Sequence, residues 1–334
     1  MSVSLGEGNT PLIRSRAIGP AAGLRNLFFK LEAVNPTGSY KDRFAAAAIS
    51  HMVASGHTNC IATSSGNTGA ALAAYCAAAQ IRCRIAIVET APAAKLQQMM
   101  AYGAEIFRVR GFGTDAAITA RAITALETLG QQPGHALQIS AYKYSPHGME
   151  GVETIAHELG EQSDGKIDHV FCPAGGGGLT LAVARGFAKT KCRFAVHCVQ
   201  PEGNDTIAGA LRAGDAAGCD VVCTTAISGL QVASVIDGNE VIRQCRPTGG
   251  TGHLVTDEET WAAQKRLARE EGIFSEPAGA VALAGALNAS ADGEINLDSK
   301  IICLVTGSGF KDSSSVDKLN VDADCPLIGV DEIA

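Results

Sequence analysis

The chain has 334 residues, 46% of them hydrophobic and 18% charged, a composition typical of a globular protein with a well-buried core and unlike that of a disordered one. The formal net charge is −7 and lysine and arginine form no cluster, so nucleic-acid binding is not expected. No apolar run approaches the roughly 20 residues of a membrane helix, and residues 1–9 lack the basic start and apolar segment of a signal peptide, so we expect a cytoplasmic protein without a membrane partner.

The eleven cysteines are scattered through the chain, mostly inside apolar runs, and form no Cys-x-x-Cys pair. An odd number without regular spacing argues against a disulfide framework and against a zinc site. We therefore expect buried, reduced thiols and no metal centre.

Residues 1–145 alternate between short apolar segments and alanine-rich segments of helical length. A turn-rich start is followed by a predicted strand at 27–32 and a helix at 41–54. Further strands are predicted at 59–63, 82–88, 104–109 and 136–140, and further helices at 68–79, at 92–102 with Pro92 in its first turn, and at 114–129 with Gly130 as its cap.

Residues 146–334 repeat the alternation. Strands are predicted at 168–172, 193–200 and 300–305, and helices at 149–160, 179–189, 204–213, 232–243, 257–271 and 277–287. Strands that alternate with helices of this length predict parallel strands joined by crossover helices, a doubly wound α/β fold. Ligands bind outside the carboxyl ends of such strands, so the loops there are the candidate sites.

The segment 35–43 reads Asn-Pro-Thr-Gly-Ser-Tyr-Lys-Asp-Arg and joins the first strand to a helix. Asn-Pro and Thr-Gly favour turns, so Lys41 is expected where a turn enters the helix. A cation there lies at the positive end of the helix dipole, which suggests a functional amine that attacks a carbonyl. An ordinary solvated lysine is the alternative.

The segment 64–69, Ser-Ser-Gly-Asn-Thr-Gly, follows the strand at 59–63 and starts a helix. Small hydroxyl residues and glycines place hydroxyl and N–H groups at the helix N-terminus, which suits a carboxylate or a phosphate. A plain helix cap formed by Ser, Asn or Thr explains the same residues equally well.

Four consecutive glycines follow the strand at 168–172 and precede a helix: Gly175, Gly176, Gly177 and Gly178. Such a backbone wraps closely around a group of phosphate size with its N–H groups pointing inward, so we favour anion binding over a merely flexible loop. Thr180 stands where a dinucleotide-binding fingerprint needs glycine, and no Gly-Lys-Ser/Thr follows, so neither that fingerprint nor a P-loop is present.

The last apolar strand is followed by Thr-Gly-Ser-Gly-Phe-Lys-Asp at 306–312. The hydroxyl of Thr306, at the end of a buried strand, is placed where it can hydrogen-bond a bound ligand. A glycine-rich turn is the alternative. Earlier in the chain, Glu276 is expected to cap the helix that Pro277 opens, rather than to lie near a bound ring.

These segments together resemble the threonine synthase family of fold-type-II pyridoxal-phosphate enzymes. The segment 35–43 resembles the family's cofactor-lysine motif, 64–69 its Ser-x-Gly-Asn-Thr motif and 173–179 its phosphate loop. The segment 306–312 resembles its Thr-Gly-His-Gly-Leu-Lys-Asp, with Ser308 in place of His and an open role for that position. In order and over nearly the whole chain, the matches are hard to obtain by accident.

The resemblance implies a tryptophan synthase β-like α/β fold, with two doubly wound open-sheet domains and pyridoxal 5′-phosphate between them. It implies a larger cofactor-binding domain of residues 1–40 plus 146–334, a smaller domain of residues 41–145, and a homodimer.

The resemblance also implies the roles of single residues. Lys41 carries the cofactor and moves the substrate's Cα proton, Asn67 contacts the cofactor ring oxygen, and Thr306 contacts its ring nitrogen. The cofactor phosphate is bound by Gly175, Gly176, Gly177 and Gly178. The substrate carboxylate is bound by Ser64, Ser65 and Thr68. The implied reaction converts O-phosphohomoserine and water to threonine and phosphate by β,γ-elimination and replacement.

One position departs from the family pattern. Threonine synthases commonly carry Arg immediately before Leu-Glu-Gly, whereas this chain has Gly148 before Met-Glu-Gly. Because a bidentate Arg binds phosphate strongly, its replacement argues against a phosphorylated substrate, although Lys143 and His147 lie nearby in sequence. The alternatives are a serine/threonine dehydratase-like enzyme or a β-replacement enzyme acting on O-phosphoserine. A dehydrogenase and a non-catalytic small-molecule sensor on the same scaffold are further classes.

Overall fold

The computed structural model describes residues 2–64, 66–89, 91, 93–113, 115–190 and 192–333, without the side chains of 93–95 and 116. The predicted first-turn position of Pro92 lies outside the described residues. None of the helices in these ranges has the length and apolar character needed to cross a membrane.

The larger of two sheets in the described chain contains six strands. They are β1 (Leu12–Arg14), β2 (Asn26–Leu31), β7 (His169–Pro173), β8 (Ala195–Pro201), β9 (Gly252–Val255) and β10 (Lys300–Val305). Their spatial order is β1-β2-β10-β7-β8-β9, and only the pairing of β1 with β2 is antiparallel. The predicted parallel arrangement is therefore confirmed, with short strands β1 and β9 that the sequence pattern did not predict.

The smaller sheet contains four parallel strands that follow one another in the chain. They are β3 (Asn59–Thr63), β4 (Arg82–Val88), β5 (Glu105–Val109) and β6 (His135–Gln138), in the spatial order β5-β4-β3-β6. The predictions at 59–63 and 82–88 match these strands residue for residue.

Helices cover both faces of the sheets. They are α1 (Ile18–Ala21), α2 (Lys41–Ala54), α3 (Asn67–Ala79), α4 (Ala93–Ala101), α5 (Ala116–Gly130), α6 (Pro146–Val152), α7 (Thr154–Gln162), α8 (Gly178–Ala188), α9 (Ala208–Ala213), α10 (Gly238–Cys245), α11 (Asp257–Glu271), α12 (Pro277–Ala291) and α13 (Ser313–Leu319). One apolar core joins α2 and α3 to α6, α7 and α8, and thereby connects the two sheets; α11 and α12 pack on the opposite face of the larger sheet.

Several helix predictions are wrong in detail. The helix predicted at 204–213 begins only at Ala208, and that predicted at 277–287 extends to Ala291. The single helix predicted at 149–160 is divided at Glu153, where bonds from Glu153 N to Glu150 O and from Ala156 N to Glu153 O tighten the turn. The helix predicted at 232–243 begins only at Gly238, because residues 232–236 instead form a loop over the four glycines. Gly130 is the last residue of α5 and not its cap.

A buried cluster of charges fixes the position of α2. The Arg43 guanidinium donates two hydrogen bonds of 2.8 Å to Glu32 and bonds of 2.5 and 2.8 Å to Glu158. Lys30 adds a 2.6 Å ion pair to Glu158. Although burial raises the pKa of Glu158, the bonds from Arg43 and Lys30 lower it overall, to about 2. Buried charges lose their hydration, and their attraction to one another offsets that loss only while every partner is present. The cluster therefore holds β2, α2 and α7 together.

Three histidines form a hydrogen-bonded row across neighbouring strands of the larger sheet. His197 Nε2 lies 3.0 Å from His169 Nδ1, and His197 Nδ1 lies 2.9 Å from His253 Nε2. The ring of Phe171 stacks on His197 with the centroids 4.4 Å apart. Burial lowers the pKa of all three, that of His197 to about 2 and that of His253 to about 4.

This row predicts a loss of stability in acid. An unfolded histidine titrates near about 6.5, so below that pH the unfolded chain binds more protons than the folded one and the free energy of unfolding decreases as the pH falls. The nearby charges are Asp168, Arg212, Asp292 and Glu294. We expect His197→Gln to reduce the slope of unfolding free energy between pH 6.5 and 4.5 by up to about 1.4 kcal/mol per pH unit.

Denaturant unfolding at a series of pH values measures that slope. His157→Gln is the matched control, because His157 is exposed and should leave the slope unchanged. Equal slopes for the wild type and His197→Gln would contradict the expectation.

Candidate active site

One cavity of about 420 Å³ lies between the two sheets, where the carboxyl ends of β3, β6, β7 and β10 converge. Every described residue that the sequence analysis assigned to a site lines it: Lys41, Ser64, Asn67, Thr68, Gly175, Gly176, Gly177, Gly178 and Thr306. Ser65 lies outside the described residues. Residues far apart in the chain thus meet at the sheet edges where ligands bind in α/β folds.

Lys41 is the first residue of α2, as predicted, and its side chain reaches into the cavity. The preceding amide of Tyr40 donates to the carbonyl of Thr306 at 3.0 Å, which fixes the helix start beside β10. The Lys41 amine donates to Ser140 Oγ at 2.8 Å. Ser140 lies two residues after β6 and was missed by the sequence analysis, although a hydroxyl at the end of the strand predicted at 136–140 was the available signal.

The segment after β3 presents its hydroxyl groups to the cavity. The N-cap of α3 is Gly66, which has no side chain, and Ser64 Oγ accepts from the amide of Gly66 at 3.2 Å. The side chains of Ser64 and Thr68 line the cavity and do not cap α3. Asn67 Nδ2 donates to Glu276 Oε1 at 2.7 Å. The plain-cap interpretation of this segment is therefore not supported by the described residues.

The four glycines curve around the cavity wall at the start of α8. Gly177 has φ +91°, a conformation that favours glycine, and a Cβ there would lie 2.8 Å from Val241 and 2.9 Å from Ile207. A Cβ at Gly175 would lie 3.0 Å from Val232. In the described part of the chain, none of the amides of residues 175–178 donates a hydrogen bond to another residue. Together with the N-terminus of α8, they form a cradle of N–H donors suited to an anion.

Asp237 holds the four-glycine loop in place by hydrogen bonds. Its carboxylate accepts from the amides of Tyr142 at 2.9 Å and Lys143 at 3.3 Å, and its own amide donates to the carbonyl of Gly176 at 3.1 Å. Burial raises its pKa, while the two amides lower it. Asp237 was missed by the sequence analysis, because the helix predicted at 232–243 placed it inside regular structure.

The segment around β10 supplies the opposite wall. Thr306 is 4% exposed and lines the cavity directly after β10. Ser308 instead accepts from the amide of Phe310 as the cap of a short turn. Glu276 occupies the N-cap position of α12 as expected, but its side chain makes no cap hydrogen bond and lies in the cavity wall.

Lys311 is a second amine in the cavity wall that the sequence analysis did not single out. Its Nζ donates to Gln98 Oε1 at 2.6 Å. Burial lowers its pKa, while the carboxylates of Glu276 and Asp42 raise it. Lys143 and His147, which lie near the replaced arginine position in sequence, are both exposed and do not line this cavity.

Gly148 lies inside α6, where that helix packs on α2. A Cβ at this position would lie 2.5 Å from a ring carbon of Phe44 and 3.0 Å from the Cβ of Ala48. The ring of Phe44 therefore occupies the space that any larger residue at 148 would need. An arginine there therefore requires the Phe44 ring, or the packing of α6 on α2, to shift.

Comparisons with known proteins agree with this geometry. The family model "Pyridoxal-phosphate dependent enzyme" matches residues 3–307. Relatives include threonine synthases of Methanosarcina acetivorans (32% identical, covering 94% of this chain and 78% of that protein), Methanocaldococcus jannaschii (33%, 93% and 76%) and Halalkalibacterium halodurans (32%, 94% and 85%).

Solved structures share the fold. Threonine deaminase isoform 2 of Solanum lycopersicum superposes with a TM-score of 0.77 at 23% identity, covering 95% of this chain and 88% of that one. Maize serine racemase superposes with a TM-score of 0.75 at 26% identity, covering 94% and 92%. The chain therefore belongs to the pyridoxal-phosphate dependent enzymes of fold type II, as a threonine synthase-like member of that family.

Proposed function

We propose that this enzyme converts O-phosphohomoserine and water to threonine and phosphate. The observation that carries the proposal is the convergence of Lys41, the four-glycine loop, the 64–68 segment and Thr306 in one cavity of a chain whose relatives are threonine synthases. The relatives' name supports the substrate, and the residues of this chain support the chemistry.

The cavity fits pyridoxal 5′-phosphate by its donor set. The cofactor's phosphate needs several N–H donors, and the amides of residues 175–178 have no other partner in the described part of the chain. Its aldehyde needs an amine, and the described lining residues offer two, Lys41 and Lys311. Lys41 is the better candidate, because it begins a helix beside Thr306, the proposed partner of the ring nitrogen.

The mechanism follows from the placement of these groups. The bound cofactor supplies an electron sink for the carbon atoms next to the substrate nitrogen. Lys41 Nζ moves the proton at the substrate Cα, and Ser140 Oγ orients that amine by the 2.8 Å bond. Asn67 would hold the cofactor ring oxygen, and Glu276 orients the Asn67 amide by the 2.7 Å bond. The hydroxyl groups of Ser64, Ser65 and Thr68 bind the substrate carboxylate.

The substrate phosphate needs a cation, and we propose Lys311 for that role. Position 148 is closed by Phe44, and Lys143 and His147 are exposed outside the cavity. Gln98 holds Lys311 in the cavity wall, and burial lowers the pKa of the Lys311 amine. A charge-assisted hydrogen bond from this ammonium would substitute for the arginine of the family pattern.

The second candidate is β-elimination or β-replacement, with serine, threonine or O-phosphoserine as substrate. The closed position 148 favours it, because the family's bidentate phosphate contact cannot form there. The same amine, cradle and carboxylate hydroxyls serve a leaving group at Cβ.

A substrate panel separates these activities. The purified holoenzyme is incubated with O-phosphohomoserine, O-phosphoserine, serine and threonine, and phosphate, keto acid and threonine are measured. We expect phosphate and threonine in equal amounts from O-phosphohomoserine. Keto acid from serine or threonine, or phosphate release from O-phosphoserine alone, would reject the proposed reaction in favour of the second candidate.

Lys311→Met tests the phosphate contact in the same assay. Loss of a charge-assisted bond of about 1.5–3 kcal/mol should raise the KM for O-phosphohomoserine by roughly 10- to 100-fold. Lys143→Met is the matched control, since Lys143 is exposed outside the cavity. An unchanged KM in Lys311→Met would remove Lys311 from substrate recognition.

We also propose the domain division predicted above, residues 1–40 plus 146–334 and residues 41–145. All four strands of the smaller sheet fall within 41–145, and all six of the larger sheet fall outside it, which supports the division. We propose a cytoplasmic homodimer as well: the free state of all eleven cysteines suits a reducing compartment. Light scattering on the purified enzyme measures the mass directly.

A further inference from the structure

Three buried cysteines of the smaller sheet converge on one point. Cys60 in β3 and Cys83 in β4 lie opposite each other in the parallel register, and Cys76 extends toward them from α3. Their sulfur atoms all lie within 4.8 Å of one another. The exposed fractions are 0% for Cys60 and Cys76 and 6% for Cys83.

Convergence distinguishes these thiols from the other buried cysteines. Cys172, Cys198, Cys245 and Cys303 are also free and buried, around the larger sheet. Among the described residues, no three of their sulfur atoms come within the same distance of one another. A buried cysteine usually acts as a small apolar side chain, which explains the dispersed group but does not require three sulfur atoms to meet.

The donor set selects the kind of ion. In the described chain no His, Asp or Glu ligand atom joins the three sulfur atoms, so the site lacks the fourth ligand of a structural zinc centre. Oxygen-preferring cations such as calcium and magnesium are excluded by the all-sulfur set. Thiolates select soft ions, among which copper(I) is stable with few ligands. Metal–sulfur bonds of about 2.3 Å in a trigonal plane place sulfur atoms roughly 4 Å apart, within the observed limit.

We propose that Cys60, Cys76 and Cys83 bind one copper(I) ion through three sulfur atoms. Each thiol that becomes a thiolate ligand releases its proton to solvent, and no electron is transferred. The ion joins the middle of the smaller sheet to α3, whose first residue, Asn67, lies in the active-site cavity. Because the ion binds the folded chain and not the unfolded one, it raises the free energy of unfolding.

A separate cavity of about 430 Å³ lies beside this cluster. Cys76 and Cys83 form part of its wall, together with Gln80, Tyr102 and Glu105. Glu105 is exposed, so the cavity opens to the surface, whereas Cys76 is 0% and Cys83 6% exposed. An ion carried by a small thiol or a chelator therefore enters through a local opening of the wall that Cys76 and Cys83 form.

The test uses the full-length holoenzyme with Cys219 and Cys325, the two exposed cysteines, replaced by serine. Copper(I) is added without oxygen in competition with a coloured copper(I) chelator, and bound metal and the thermal midpoint are measured. We expect one copper per chain and a higher midpoint. Cys60→Ala, Cys76→Ala and Cys83→Ala should each weaken binding on the order of a hundredfold and abolish the rise.

Cys245→Ala is the matched control, a buried cysteine outside the cluster that should retain full binding. Circular dichroism and cofactor absorbance establish that each variant is folded. The proposal is overturned if no copper is retained, if folded variants of the cluster retain it unchanged, or if the same three thiols hold zinc(II) more tightly than copper(I).

Discussion

Replacing Lys41 by alanine is expected to reduce kcat by at least about a thousandfold and to remove the visible absorbance of the bound cofactor. Lys41 is the amine that begins α2 in the cavity, and Ser140 already orients its Nζ. Removing it deletes both the proposed covalent attachment of the cofactor and the group that moves the Cα proton. Spectra of the purified variant and steady-state rates with O-phosphohomoserine are the two measurements.

Two controls make the result specific. Lys143→Ala removes an exposed lysine outside the cavity and should leave both the spectrum and kcat unchanged. Circular dichroism of Lys41→Ala should match the wild type, because the lost side chain belongs to a cavity wall and not to a packed core. Retention of absorbance and turnover in Lys41→Ala would transfer the cofactor to another amine, with Lys311 the next to examine.

Replacing Arg43 by methionine is expected to lower the free energy of unfolding by about 3–5 kcal/mol and the thermal midpoint by roughly 5 °C. Methionine keeps most of the side-chain volume but leaves Glu32 and Glu158 without their shared guanidinium. Glu32 is 0% exposed, so water cannot replace the lost partner. Urea unfolding followed by circular dichroism measures the change.

Arg266→Met is the matched control for this substitution. Arg266 pairs with Glu270 one helical turn away on the surface of α11, and both side chains are about one-third exposed. Loss of such a pair should cost no more than about 0.5 kcal/mol. If Arg43→Met proved as stable as Arg266→Met, the buried cluster would not be what holds α2 in place.

The alternating pattern predicted most of the fold because each crossover unit is local in sequence. The strands at 59–63 and 82–88 and the helix at 257–271 match the structure, since apolar runs, caps and Gly272 mark their ends within a few residues. The failures have local and tertiary causes. Residues 232–236 include three β-branched side chains, which disfavour a helix, and in the fold Val232 and Ile236 cover the glycine loop ahead of α10.

In the candidate site, too, the contacts between residues far apart in the chain could not be predicted. The glycines, Asn67 and Thr306 were recognisable because each lies in a strand-end loop with an unusual local composition. The bond from Lys41 to Ser140 spans 99 residues, and that from Asn67 to Glu276 spans 209, so no local pattern reports either. The convergence of Cys60, Cys76 and Cys83 was likewise hidden, because they come from two strands and a helix without any regular spacing.

The close contact between Gly148 and Phe44 belongs to the packing of α6 on α2, and neither residue lines the active-site cavity. A bulky residue at 148 is expected to need a smaller residue at 44, since the aromatic ring and the new side chain compete for one volume. Neither change alone is expected to be neutral, because one overfills the helix contact and the other empties it. Substitutions at 44 and 148 are therefore expected to be coupled, and a library that varies both positions jointly should reach stable combinations that single-site scanning does not.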